Sequence, residues 1–186
     1  MADDSLSTQD WPDRVDAGML IKRYKEKFQD LQPDPDGVYA GSMWHIIALS
    51  HQILGNLDAM LRGEEEELSA ADMFVMCVLF IAADRKLRPS DIARVLSVTQ
   101  AAISLRVAKL ESRGLVSRAG DSEDRRTVRL SLAPKAVDMV RRFLADVSVN
   151  SGFARSLAKL EAEDRAQLGS LLERLSTEMA RHVVQP

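Results

Sequence analysis

PSDIARVLSVTQAAISLRVAKLESRGLVSRAGDSEDRRTVRLSL, running from Pro89 to Leu132, is the stretch whose reading decides the fold. Pro89 suits a first helical position, where its missing N–H costs nothing, and Asp91 puts negative charge near the positive end of the helix dipole. Ile92, Val95 and Leu96 recur at helical spacing and predict one apolar face. After a turn at Ser97 and Val98, Thr99 is an N-cap for a second helix over about Gln100–Arg113, closed by Gly114. Ile103, Val107 and Leu110 share one face of it, which leaves Gln100, Ala101, Ser104, Leu105 and Lys109 pointing elsewhere. Then the period changes. Leu115–Arg118 and Thr127–Leu132 are short strand-like runs, and AGDSEDRR between them supplies turn formers and two arginines. Two helices, a tight turn and a hairpin in this order make the pattern of a winged helix-turn-helix.

Such a segment implies double-stranded DNA as partner. Thr99, Gln100, Ala101, Ser104, Leu105 and Lys109 are then the candidates for the major groove. Arg125 and Arg126, at the hairpin tip, are candidates for a narrow minor groove, which concentrates negative potential. Lys109, Arg113 and Arg118 are expected on phosphates rather than bases. The run from Leu87 through Pro134, above all AISLRVAKLESRGLVSR followed by DSEDRR and LAP, resembles the MarR family of bacterial transcriptional regulators. In that resemblance Asp124, Arg125 and Arg126 match the wing signature, whose arginines contact DNA and whose aspartate helps to fix the wing. Leu110, Glu111 and Gly114 match the end of the recognition helix. Departures are Ser97, where the turn often has Gly, Leu105, where a polar or basic residue is common, and Ala133 and Ala136, where Thr and Gly are usual. An apolar Leu105 can touch a thymine methyl but cannot pair with guanine. The resemblance further implies a mainly α fold in which both chain ends build a homodimer. Two recognition helices would address successive turns of a palindromic operator, usually as a repressor.

The chain has 186 residues, 46% of them hydrophobic and 5% aromatic, with a formal net charge of −3. That charge argues against nucleic acid until its distribution is seen. Between Val98 and Arg129 seven cationic side chains face four anionic ones, a local +3 that leaves −6 elsewhere. A basic reading head on an acidic body concentrates phosphate contact at one surface and limits non-specific adhesion. One cysteine allows no internal disulfide, and His45, His51 and His182 share no metal-ligand spacing. No phosphate loop or nucleophile elbow is present, so neither an enzyme nor a cofactor or metal is expected. MADDSLSTQDW is acidic and polar, unlike a signal peptide, and MFVMCVLFIAA is too short to span a bilayer. The expectation is a cytoplasmic protein with no membrane partner.

Taken in order, residues 1–12 read as a disordered leader. Residues 13–62 hold two N-terminal helices for dimerisation and support, the first from about Asp13 with Val15, Met19, Leu20, Phe28 and Leu31, the second over about Gly41–Arg62. QPDPDG separates them. Residues 69–132 form the DNA-binding lobe. Ser69 with Asp72 three positions later predicts a capping box opening a third helix that ends near Ala83, apolar nearly all round and hence a buried spine. Residues 133–186 give C-terminal dimerisation helices, about Lys135–Asn150 and Ala162–His182, with a break at Asn150–Gly152. The apolar stripes at both ends have no partner within a winged domain of ordinary size, which also predicts a homodimer.

The long first helix and the PDPDG segment resemble the urate-responsive branch of the MarR family, in which an arginine at the place of Arg106 helps to bind the ligand. Alignment with that branch puts Tyr24 where it has Trp and Phe74 where it has Asp, so urate itself is not carried over. Tyr24, Trp44, His45, Phe74 and Arg106 are the candidate pocket for a small anionic aromatic effector, an apolar cavity with one cation. Arg106 could equally turn back toward the body of the protein, and Trp44 and Phe74 equally suit plain packing. Two alternatives to an effector-released repressor stand beside it. One is an architectural DNA-binding protein without effector. The other is a thiol-based redox-sensing regulator through Cys77, although MFVMCVLF offers that thiol no basic neighbour.

Overall fold

The computed structural model describes residues 17–28, 38–63, 67–82, 87–120 and 128–182. The leader and the wing tip, with Asp124, Arg125 and Arg126, lie outside the described residues, as does the QPDPDG segment. The chain divides into two compact units, Met1–Leu54 and Gly55–Pro186. The dividing point falls inside a helix.

The first unit holds α1, Ala17–Phe28, and most of α2, Val38–Met60. In α1, Lys22 and Glu26 face each other one turn apart at 4.0 Å, an exposed pair that adds little stability. α2 starts three residues before its expected position and is apolar round most of its circumference. Val38, Tyr39, Met43, Trp44, Ile46, Ile47 and Leu49 are all exposed, whereas Ala40 is buried.

The second unit carries the core. α3, Ala70–Ile81, buries Met73, Val75, Met76, Cys77 and Leu79, which makes it the expected spine. Its N-terminus is fixed by the anticipated capping box, with Ser69 Oγ accepting from the Asp72 N–H at 3.2 Å and the Asp72 carboxylate accepting from the Ser69 N–H at 3.1 Å. α4, Pro89–Val95, and α5, Gln100–Ser112, follow, and Ile92, Ile103, Val107 and Leu110 pack into the same core. Burying side chains of this size contributes roughly 1.5–3 kcal/mol each. β1, Val116–Gly120, pairs antiparallel with β2, Val128–Leu132, in the register Val116↔Leu132 to Gly120↔Val128. The first strand therefore begins and ends later than the Leu115–Arg118 expectation, because Leu115 is spent in the core and in closing α5 through its N–H to Leu110.

α6, Pro134–Asn150, buries Ala136, Val140 and Phe143. The expected break after it proves to be a helix start. Ser151, itself buried, caps α7, Gly152–Leu157, by accepting from the Ala154 N–H at 3.0 Å. The Gly152 N–H donates to Asn56 Oδ1 at 2.7 Å, and a Cβ at this position would sit 3.3 Å from that same oxygen, close enough that the Asn56 side chain would have to give by a few tenths of an ångström. α8, Ala162–His182, has the bounds expected of it and buries none of its residues.

Candidate nucleic-acid interface

The helix-turn-helix is built from local rules. α4 starts at Pro89, and the Asp91 carboxylate accepts the Arg88 N–H at 3.0 Å. The turn passes through Ser97 at φ +53°, the left-handed region that usually calls for glycine, where this chain has a serine. Thr99 then caps α5, its Oγ1 accepting from the Ala102 N–H at 3.2 Å. Gly114, at φ +64°, closes the helix as the pattern requires.

α5 presents three stripes. Ile103, Val107 and Leu110 are buried. Gln100, Ala101, Ser104, Leu105 and Ala108 are exposed, Leu105 with 76% of its surface open. Ala102, Arg106, Lys109 and Arg113 form a half-buried flank between the two. The outward strip is thus without charge, and four of the side chains expected in the groove, Gln100, Ala101, Ser104 and Leu105, share it. Thr99 sits exposed at its start.

Lys109 does not share it. Its Nζ donates to Asp72 Oδ2 at 2.5 Å, while Arg106 Nη1 donates to Asp72 Oδ1 at 3.2 Å. The two cations of the recognition helix thus meet one carboxylate of α3 that is only 1% exposed. Burial alone would raise the Asp72 pKa, but the hydrogen bonds from Lys109 and Ser69 outweigh it and hold the carboxyl below the ordinary aspartate range. Helical spacing assigns Lys109 to the outward side because it lies one turn beyond Leu105; the flank position next to α3 and a waiting carboxylate draw it inward. Arg106 takes the inward of the two courses open to it. Asp72 is the residue that spacing did not bring forward as an ion-pair partner, although an aspartate within an otherwise apolar helix was the signal.

Arg118, expected on phosphate, leaves β1 to pair with Glu111 at 2.6 Å, which ties the hairpin to the end of α5. Of the tentative effector pocket, Trp44 and His45 are exposed on α2, Phe74 is half-buried on α3 and Arg106 is held by Asp72, while the Tyr24 side chain lies outside the described residues. The second unit does form a cavity of about 230 Å³, lined by Met60, Leu68, Met73, Met139 and Phe143 with Arg142 and Asp146, and neither Phe74 nor Arg106 is part of that lining. Cys77 is buried, and burial pushes its thiol up to about 11, so it is protonated at neutral pH. No group of three or more His, Cys, Asp or Glu able to hold a metal ion occurs among the described residues, and no helix there is long and apolar enough to cross a membrane.

The fold and the outward strip define a winged helix-turn-helix protein. Residues 75–128, which include Arg125 and Arg126, match the model of the MarR family, a family of DNA-binding transcription regulators. No curated protein matches the chain in sequence. Among solved structures the fold is similar to MepR from Staphylococcus aureus in its DNA complex, with TM-score 0.65 and 19% identity over 74% of this chain and 95% of that one. It is also similar to FabT from Streptococcus pneumoniae in complex with DNA, with TM-score 0.62 and 21% identity over 78% and 99% of the two chains. YusO from Bacillus subtilis matches with TM-score 0.51 and 25% identity over 76% of this chain and 96% of that one.

Proposed function

We propose that this protein is a cytoplasmic transcriptional repressor that binds a palindromic operator as a homodimer and is released by a small anionic aromatic ligand. The observation that carries the reading is the exposed, uncharged strip of Gln100, Ala101, Ser104, Leu105 and Ala108, offered by a capped helix within the segment that matches the MarR family. That MepR and FabT were both solved with DNA supports it. Wing residues Arg125 and Arg126 add minor-groove contact, and Asp124 helps to fix them.

The homodimer is supported by apolar surface that a single chain leaves uncovered. On α8, Leu168, Leu171, Leu172, Leu175 and Met179 are 37–54% exposed, and α2 exposes Met43, Ile46, Ile47 and Leu49. Stripes of this extent mark an interface rather than scattered surface residues. Sedimentation should return twice the monomer mass, and Leu172→Glu with Leu175→Glu should halve it.

Fluorescence anisotropy on a duplex from the gene's own upstream intergenic region, against a scrambled duplex at two salt concentrations, tests the reading. Specific binding that outlasts the higher salt is expected, followed by release on titration with aromatic carboxylates. Equal, salt-labile binding to both duplexes would instead make the protein an architectural one.

A further inference from the structure

The geometry points to Asp72 as a specificity-setting residue: by holding Arg106 and Lys109 against the body of the protein, it withholds two cations from the DNA backbone, so that the recognition helix meets DNA with its uncharged strip alone. This inference rests on the DNA-binding reading above and deepens it.

The carboxylate is built to stay where it is. Its Oδ2 accepts from the Ser69 N–H at 3.1 Å and from Ser69 Oγ at 2.8 Å, both within the cap of its own helix, before it accepts from Lys109. Oδ1 takes Arg106, whose Nη1 also lies 3.5 Å from Ser69 Oγ. A group locked by its own helix cap cannot follow the cations outward. The cations are the mobile partners, on long side chains still 35% and 38% exposed. Arg106 and Lys109 occupy the flank of α5, beside the strip that would enter the groove, and on a helix seated in a major groove a flank faces the phosphate walls. Released, two such side chains would have phosphates within reach. Held, they contribute only a net positive field.

Phosphate contact is strong but blind to sequence, whereas base contact discriminates. Each cation kept from a phosphate therefore costs most in non-specific complexes, where phosphate contact is essentially all of the binding and the protein can shift until the cation finds one; the operator complex, pinned in register by Gln100, Ser104, Leu105 and the wing, loses less. A chain that must choose one site among many gains selectivity by this restraint.

The test compares the wild type with Asp72→Asn and Lys109→Gln by anisotropy, on operator and scrambled duplexes, across a salt series. Asn keeps the size and the cap acceptor of Asp72 but loses the charge. Asp72→Asn should steepen the slope of log affinity against log salt by roughly 1 to 2, at about 0.9 per phosphate gained. It should also tighten scrambled-DNA binding about 5- to 10-fold near 0.1 M salt per cation released and shrink the ratio of operator to scrambled affinity. Lys109→Gln should leave the wild-type slope unchanged, because Lys109 is not on a phosphate. A Lys109→Gln slope shallower by about 1 overturns the inference, and this variant decides the matter alone should Asp72→Asn fail to fold. An Asp72→Asn protein that folds and keeps the wild-type slope and ratio overturns it as well. Wild-type protein that binds neither duplex removes the DNA reading itself, and the inference with it.

Discussion

Leu105 offers the sharpest test of which face of α5 reads sequence. It is 76% exposed on a helix whose buried side is already satisfied by Ile103, Val107 and Leu110. Fully burying a leucine is worth roughly 1.5–3 kcal/mol, so covering the exposed three-quarters of this one against thymine methyls contributes about 1–2 kcal/mol. Leu105→Ala should weaken operator binding by about 5- to 30-fold at fixed salt. Folding should be spared, because Ala is as good a helix former as Leu and little packing is lost at an exposed site. Binding to scrambled DNA and the salt slope should not change either, since no charge is altered. Anisotropy titrations on both duplexes, with a urea melt as control, measure all of this. Operator affinity equal to the wild type, with the fold intact, would show that the uncharged strip does not lie in the groove.

Other outcomes follow from the same geometry. Arg125→Ala with Arg126→Ala should weaken operator binding, reduce the salt slope by roughly 1 to 2 and leave the oligomer intact, as sedimentation would verify. Ser97→Gly should stabilise the protein by about 0.5–1 kcal/mol in urea melts, because φ +53° costs a non-glycine residue about 1–2 kcal/mol and the entropy glycine loses returns part of that. Asp72→Asn should destabilise at neutral pH by about 1–2 kcal/mol, charge-assisted hydrogen bonds discounted for the exposure of both cations. The Asp72 pKa is depressed in the fold, so its contribution is present above the unfolded aspartate value near 4 and is lost as pH falls through the folded one. The gap between wild type and Asp72→Asn should therefore close in melts below about pH 4. Cys77, buried and with its thiol pushed up to about 11, should react with iodoacetamide at neutral pH only at the rate of unfolding, as mass spectrometry over time would reveal.

What was legible in this chain is what repeats locally. The α3 spine, the Ser69–Asp72 cap, the Gly114 stop and the α8 bounds each follow from residues within a turn or two of one another, and they stand where spacing put them. What spacing missed depends on partners far along the chain. α7 reads as a break because Ser151 and Gly152 are turn formers; what starts a helix there instead includes Asn56, 96 positions earlier, whose Oδ1 accepts the Gly152 N–H.

Lys109 shows why charge is harder to read than apolar pattern. An apolar residue has one preference, to leave water, and helical periodicity says which face offers that. A lysine on a flank can satisfy itself in two directions, toward phosphate or toward a carboxylate, and periodicity ranks neither. The choice was made on α3, 37 positions away, where Asp72 had already been explained as a cap and so carried no further demand. Yet capping occupies only part of a carboxylate, and a buried one keeps lone pairs that must be met. A first-turn aspartate in an otherwise apolar helix thus implies cations from a neighbouring element, and the recognition helix supplies Arg106 and Lys109 one turn apart. The same requirement that turns Lys109 away from the outward strip ties α5 to the spine.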